Sequence, residues 1–382
     1  MTEKLYYSGG EMREFTARVL SCEPDGDAYA VMLDRTAVFP GGGGQDADCG
    51  RLAGVEITGM REEGETIYHI LPSPLEAGSE IHGEVDWAVR FPRMQGHSGE
   101  HIFSGTVRRL FGGENVGFHM GAGAMTLDFS VELSAEDVAL AELEANRAVW
   151  RNLPINSLLP SAGELEHMAY RSKKELSGQV RIVEIPGVDM CACCAPHLLY
   201  TGEIGAIKVL DFMRHRGGTR ITLVCGEAAY RDYAALHLVN ARVSAALSAK
   251  RLETDAAVER IMRESEAKHA EITRLRREIL ALKSASLPET EGNLCLFEPD
   301  LDTTTLRELV NAGVEKCSGI CAGFTGADGD YKYVIGSRTV DLRAAAREIN
   351  AAIDGRGGGS SAMIQGTSRA GRAAIEAYFA GV

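Results

Sequence analysis

Short runs of alternating apolar and polar residues fill the first part of the chain. Positions 17–21, 29–34 and 66–70 each alternate with the two-residue period of a strand that buries one face. Turn signals separate them, at Asp25-Gly26-Asp27 and along the glycines at 41–44. A small β-barrel over residues 1–88 is the expected result. Near Gly96 the period lengthens to that of a helix: Ile102, Phe103, Val107 and Leu110 form one apolar face, and Gly112-Gly113 stops it. A second helix is predicted to start at Ser134, where Asp137 offers a capping pair, and to end before Pro154. Strands return at 180–185, 206–213 and 220–225, so the middle of the chain reads as α+β.

Between residues 228 and 284 there is neither proline nor glycine, and Ile261, Ser265, Lys268, Ile272, Leu275, Ile279 and Leu282 follow a 3-4 spacing. A long helix or helical hairpin is predicted, ended by Pro288. Its seam carries Ser265 and Lys268 at core positions, which leaves packing on another domain and a dimeric coiled coil as alternatives. The tail alternates strand (294–297), helix (304–315), strands (320–324 and 331–335), helix (342–353), a glycine loop and a last helix (369–379). The fold class expected is α+β in four segments: an N-terminal β-barrel over 1–88, an α+β core over 89–226, a helical connector or coiled coil over 227–287 and a C-terminal α/β domain over 288–382.

A length of 382 residues agrees with several domains. The chain has no run of about 18 apolar residues and no basic start followed by an apolar stretch, so a cytoplasmic protein with no membrane partner is expected. A net charge of -14 argues against coating nucleic acid through a bulk basic field. Basic stretches at 90–93, 108–109, 171–174 and 214–220 could still hold a polyanion, although each alone reads first as solvated surface. Of nine cysteines, Cys22, Cys49, Cys225, Cys295, Cys317 and Cys321 are scattered, as small buried hydrophobes would be. Cys191, Cys193 and Cys194 crowd together, which in a cytosolic chain points to a metal or redox chemistry before disulfides.

His97 and His101 stand four apart at the head of a predicted helix, on one face, and Cys193 and His197 repeat that spacing in a turn. Thiolate and imidazole are both zinc ligands, and two such pairs from separate segments make a tetrahedral set; Cys191 and Cys194 compete with Cys193 but lack its spacing to His197. His97-Ser-Gly-Glu100-His101 also fits the His-x-x-Glu-His pattern of inverzincin peptidases, with Glu100 as general base and Glu175 or Glu184 completing the site. That reading leaves Cys193 and His197 unexplained. A third feature is the run from Thr36 through Phe39-Pro40 and four glycines to Gln45, where backbone can approach another surface closely and Gln45 brings an amide.

In order along the chain come the glycine-Gln45 loop with Asp46 and Gly50, Arg93-Met94-Gln95 leading into His97 and His101, Phe118-His119-Met120-Gly121 to Asp128-Phe129, and Cys193 to His197 with Thr201-Gly202-Glu203-Ile204-Gly205. Together they resemble the editing domain of alanyl-tRNA synthetase and the alanyl-tRNA editing proteins, over residues 1–225. The tail, with Gly355-Arg356-Gly357-Gly358-Gly359-Ser360, resembles the C-terminal domain of the same synthetases, found also on DHH phosphoesterases. No Asp-His-His motif and no aminoacylation domain is present, which implies editing in trans. The family's Cys-Gly-Gly-Thr-His is replaced by Cys193-Cys-Ala-Pro-His197, keeping the ligand spacing but changing the turn.

The resemblance implies a Zn2+-dependent hydrolase that deacylates alanine tRNA carrying serine or glycine, errors that an alanine pocket cannot strongly reject. It casts Thr36 and Gln45 as readers of the serine hydroxyl, Glu100 as a proton carrier, and Asp189 and His119 as partners that orient the ligands. The tail is expected to bind tRNA, with Gly357, Gly358 and Gly359 letting backbone approach phosphate, or to join the helical connector in a homodimer. A non-catalytic, zinc-stabilised RNA-binding protein is the remaining alternative.

Overall fold

The computed structural model describes residues 1–8, 10–121, 123–172 and 180–381. It has two compact units, Met1–Arg242 and Val243–Val382. Among the described residues no helix is long and apolar enough to cross a membrane.

The first unit opens with nine strands: β1 (Glu3–Lys4), β2 (Glu14–Asp25), β3 (Ala28–Leu33), β4 (Arg35–Thr36), β5 (Gly50–Leu52), β6 (Val55–Glu56), β7 (Gly59–Glu63), β8 (Thr66–Leu71) and β9 (Glu80–Val85). Seven form one sheet in the order β6-β5-β9-β2-β3-β8-β7, while β1 and β4 make a short parallel ladder. The barrel expected from the strand spacing is therefore open, a curled half-barrel whose end strands β6 and β7 do not pair. The curl comes from β2, which is long enough to pair with β9 through its first half and β3 through its second, with a register shift between Val19 and Ser21 where the ladder changes. Phe15, Ala17, Val19, Val31, Leu33 and Leu71 fill its concave side.

The helix predicted near Gly96 begins earlier, as α1 (Trp87–Phe111), with Asp86 capping Ala88 N–H and Gly112 closing it at φ +68. Pro92 lies within it and hid its first turns from the sequence pattern. After β10 (Asn115–Met120) and β11 (Met125–Phe129) comes α2 (Ala135–Trp150), started by the predicted Ser134–Asp137 capping box. Next follow β12 (Asn156–Leu158), the single turn α3 (Ala162–Leu165), β13 (Ile182–Ile185), β14 (Asp189–Ala192), β15 (Ile207–His215), β16 (Gly218–Cys225) and α4 (Glu227–Leu247). They give a four-stranded sheet, β10-β11-β16-β15, and a three-stranded one, β12-β13-β14. Both pack on α1 through Ile102, Phe103, Val107, Leu127, Ile185 and Leu223, and α2 joins the same core through Ala141, Ala145 and Val149. Tyr6, Phe39, Ile67 and Ala195 form a smaller cluster that ties the half-barrel to the Cys193 segment.

The second unit takes in the last residues of α4 and then α5 (Thr254–Ser286); no proline or glycine separates the two helices, and Ser248, at φ +50, marks the break. It continues as β17 (Leu294–Phe297), α6 (Thr303–Val314), β18 (Ile320–Ala327), β19 (Asp330–Ser337), α7 (Leu342–Ala352), β20 (Gly355–Gly359), β21 (Met363–Ser368) and α8 (Arg372–Gly381). The sheet order is β17-β18-β19-β21-β20. The glycine loop expected at 357–359 is instead the edge strand β20. A Cβ on Gly357 would lie 2.3 Å from Tyr333 Oη and one on Gly359 2.3 Å from Met363 O, so close strand pairing accounts for both glycines.

Candidate metal centre and its surroundings

The 3.6-residue period of α1 places His97 and His101 on one buried face. Gly105, one turn further, lets that face meet the β13–β14 turn: a Cβ there would lie 2.4 Å from Val188 O and 2.8 Å from the Asp189 side chain. Cys193 follows directly on β14, and the chain returns to α1 at His197. His97, His101, Cys193 and His197 consequently offer one ligand atom each, all within 4.8 Å of one another. The Cys193 Sγ lies 3.4 Å from Nε2 of both His97 and His197.

Each imidazole is oriented through its other nitrogen. His97 Nδ1 meets Gln45 Oε1 at 3.0 Å, His101 Nδ1 meets Asp189 Oδ2 at 3.0 Å, and His197 Nδ1 meets Ser98 Oγ at 3.1 Å. Ser98 Oγ also accepts from Leu198 N–H at 3.3 Å. Asp189 is held in turn by a bidentate Arg171, at 2.7 and 2.8 Å. Such outer partners fix the tautomer and aim Nε2 at a shared point.

The electrostatics agree with a cation site. Burial alone would raise the Cys193 thiol, but His97 and His197 beside it, and hydrogen bonds from His101 and His197, hold it well below the usual thiol range. Burial would lower His101, yet Asp189 and Cys193 outweigh it and raise it to about 9. His197 is pushed down to about 3, first by burial and then by the His101 charge. Tetrahedral zinc with bonds of about 2.3 Å to sulfur and 2.0–2.1 Å to nitrogen needs sulfur–nitrogen edges of roughly 3.5 Å. The two 3.4 Å edges fit that figure. His101, Asp189 and Cys191 form an overlapping group. There burial pushes the Cys191 thiol up to about 12, and Asp189 is already committed to Arg171, so this set is the poorer ligand field.

Cys194 takes no part in the four-residue group and faces the glycine loop, 3.7 Å from where a Cβ on Gly42 or Gly43 would stand. The loop is a tight turn closed by two backbone hydrogen bonds between Gly42 and Gln45, with Gly43 and Gly44 at φ +61 and +90. Space excludes a side chain at Gly44, where a Cβ would be 2.5 Å from the Phe118 ring. The loop thereby delivers Gln45 to His97. Gln45 is 3% exposed, and its Nε2 has no hydrogen-bond partner among the described residues.

Glu100 is buried within α1, accepting from Ser104 Oγ at 2.6 Å and Asn115 Nδ2 at 2.7 Å, with Arg171 3.7 Å away. Thr36 is also buried, its hydroxyl engaged by His69 Nε2 at 2.9 Å and Val38 N–H at 3.1 Å. His119 is exposed, next to the inward Phe118 on β10, and does not reach the ligands. Ser98, buried between the two ligand turns, plays the orienting part for His197; no sequence signal marked it. Glu184 accepts from Asn156 Nδ2 at 3.0 Å, outside the cluster, and Glu175 lies outside the described residues. Of the basic stretches, Arg90 is fully buried against Asp48 and Arg171 against Asp189, so neither is solvated surface.

Residues 180–222, which include Cys193 and His197, match the family described as the threonyl and alanyl tRNA synthetase second additional domain. Along 96% of its length the chain is 26% identical to the alanyl-tRNA editing protein AlaX-L of Pyrococcus horikoshii, covering 94% of that protein. The chain is similar to an alanyl-tRNA editing protein along almost its whole length. It is also 32% identical over 215 residues to mouse Aarsd1, an alanyl-tRNA editing protein, covering 52% of each chain. A third relative, the alanine–tRNA ligase of Pyrococcus furiosus, is 32% identical over 296 residues, and there the chain spans about a third of the ligase's length (32%).

Proposed function

We propose that this protein is an alanyl-tRNA editing protein that hydrolyses the ester linking serine or glycine to the terminal ribose of alanine tRNA, at one zinc ion held by His97, His101, Cys193 and His197. The observation that carries the reading is Gln45: a buried amide donor with no hydrogen-bond partner among the described residues, fixed by its other end to His97, on a loop of glycines beside the cluster. Zinc there would supply Lewis-acid polarisation of an ester carbonyl or an anchor for the substrate's amino group.

The chain's own residues bind and discriminate. Gln45 Nε2 donates to the serine hydroxyl, an interaction that alanine cannot return, so the buried donor is left unpaired with the correct amino acid. A cavity of about 420 Å³ opens beside the loop, walled by Pro92, Met120 and Met125 and edged by Asp46 and Arg93, of a size to take the terminal nucleoside with Arg93 toward phosphate. We assign Glu100 to keeping negative charge beside His101: its Oε1 accepts from Ser104 and Asn115, and its Oε2 lies 3.8 Å from His101 Nε2. Thr36, bonded to His69, steadies the strand that enters the loop. The peptidase alternative is weakened by the make-up of the cluster, because Cys193 stands where it needs a glutamate.

Purified protein incubated with seryl-, glycyl- and alanyl-tRNA is expected to release free serine or glycine, to spare alanyl-tRNA, and to lose this activity when a chelator strips the metal. Cleavage of a casein-like protein, or tRNA binding without amino-acid release, would overturn the proposal.

A further inference from the structure

The two halves of the cluster stand on unequal supports. His97 and His101 ride on α1, whereas Cys193 and His197 bound a segment, residues 193–197, that is neither helix nor strand. Pro196 inside it has no N–H with which to close a turn. Among the described residues, the hydrogen bonds that tie the backbone of this segment to the rest of the fold all run to Arg181. Arg181 O accepts from Cys193 N–H at 3.0 Å, and Arg181 Nη1 donates to Cys193 O at 3.2 Å and to Ala195 O at 2.7 Å. Arg181 is 5% exposed and is fixed in turn from behind. Its Nε donates to Ser157 Oγ at 2.5 Å, Ser157 Oγ donates to Tyr7 O at 3.0 Å, and the guanidinium lies 5.1 Å from the centre of the Tyr7 ring. No carboxylate among the described residues pairs with it. A buried cation with uncharged partners costs stability, and here its bonds go to the metal-ligand segment.

We infer that Arg181 is a positioning residue of the metal centre: its guanidinium clamps the irregular segment so that Cys193 Sγ and His197 Nε2 are held at their 3.4 Å separation, ready to share an ion. The inference rests on the zinc reading above and not on the identity of the ester. Holding the segment in place removes an ordering cost that metal binding would otherwise bear. The two carbonyls also need a donor, since a buried acceptor left unpaired is itself costly. Lysine is no equivalent here. It keeps the charge, but one nitrogen replaces two, and it cannot serve Ser157 and both carbonyls together.

Zinc affinity of the full chain, read by competition with a chromophoric chelator, is expected to fall about 10- to 100-fold in Arg181→Ala and severalfold in Arg181→Lys. Cobalt-loaded variants should show altered visible bands, because the placement of sulfur against nitrogen is no longer fixed. Arg181 borders a cavity of about 290 Å³, lined also by Tyr7, Asn156 and Ser157. Ethylguanidinium at millimolar concentration should therefore enter the space left in Arg181→Ala and restore much of the affinity. Far-ultraviolet circular dichroism checks folding, and the lysine variant carries the test if the alanine variant does not fold. Parental affinity and cobalt spectrum in the variants, with only the melting temperature of the metal-free protein lowered, would overturn the inference. So would a lysine variant indistinguishable from the parent, or a loss in folded Arg181→Ala that ethylguanidinium leaves untouched. A parent that binds no zinc would overturn the metal centre and this role with it, whereas one that binds zinc but deacylates nothing would overturn the proposed function alone.

Discussion

Cys193→Ala is expected to lower metal affinity about a hundredfold and to abolish deacylation at ordinary zinc levels. Zinc held by four protein ligands is worth about 10–16 kcal/mol, which puts one ligand near 3 kcal/mol, or two powers of ten. Cys193 is the only anionic ligand of its group, and its sulfur is the atom that both His97 and His197 approach at 3.4 Å. Cys191 cannot replace it, because burial holds that thiol at about 12. The control is Cys194→Ala: this neighbour faces the glycine loop and lies outside the cluster, so metal affinity should be unchanged. Competition with a chromophoric chelator reads both variants, and equal losses at the two positions would refute the assignment.

Asp189→Asn should separate two roles that one carboxylate performs. It leaves the buried Arg171 without its bidentate partner, which costs about 3–5 kcal/mol of stability. It also replaces the charged acceptor on His101, which should cost 10- to 100-fold in metal affinity. The double variant Asp189→Asn/Arg171→Gln removes the stranded guanidinium. It is expected to regain most of the thermal stability while metal affinity stays low. If affinity returned along with stability, Asp189 would be a packing residue only.

The clustering of four side chains was legible in part: the helical period brings His97 and His101 onto one face, while Cys193 and His197 reach them from an irregular segment that the repeated four-residue spacing only hinted at. Their supports were not. Ser98 is an ordinary helical serine until the fold brings His197 back from 99 residues away, and Arg171 looked like part of a solvated basic run until Asp189 met it. His119 was drawn in by its neighbours in the sequence, yet strand alternation sends it outward while Phe118 faces His97. Thr36 carried the right hydroxyl, but His69, 33 residues on, had already engaged it.

The same holds for the fold. Alternation located β2, β3 and β8 but could not say that the sheet stays open, because closure depends on which end strands pair. Glycines at 357–359 signal a loop when read locally; opposite Gly366 and Tyr333 they permit an edge strand instead. The break between α4 and α5 carries no proline or glycine, only Ser248 in a left-handed conformation, which sequence patterns do not report.

X-ray absorption on the zinc-loaded protein tests the central claim most directly. One sulfur at about 2.3 Å and three nitrogens at about 2.0–2.1 Å are predicted, with the sulfur lost in Cys193→Ala and kept in Cys194→Ala. A shell with no sulfur, or with two, would contradict it.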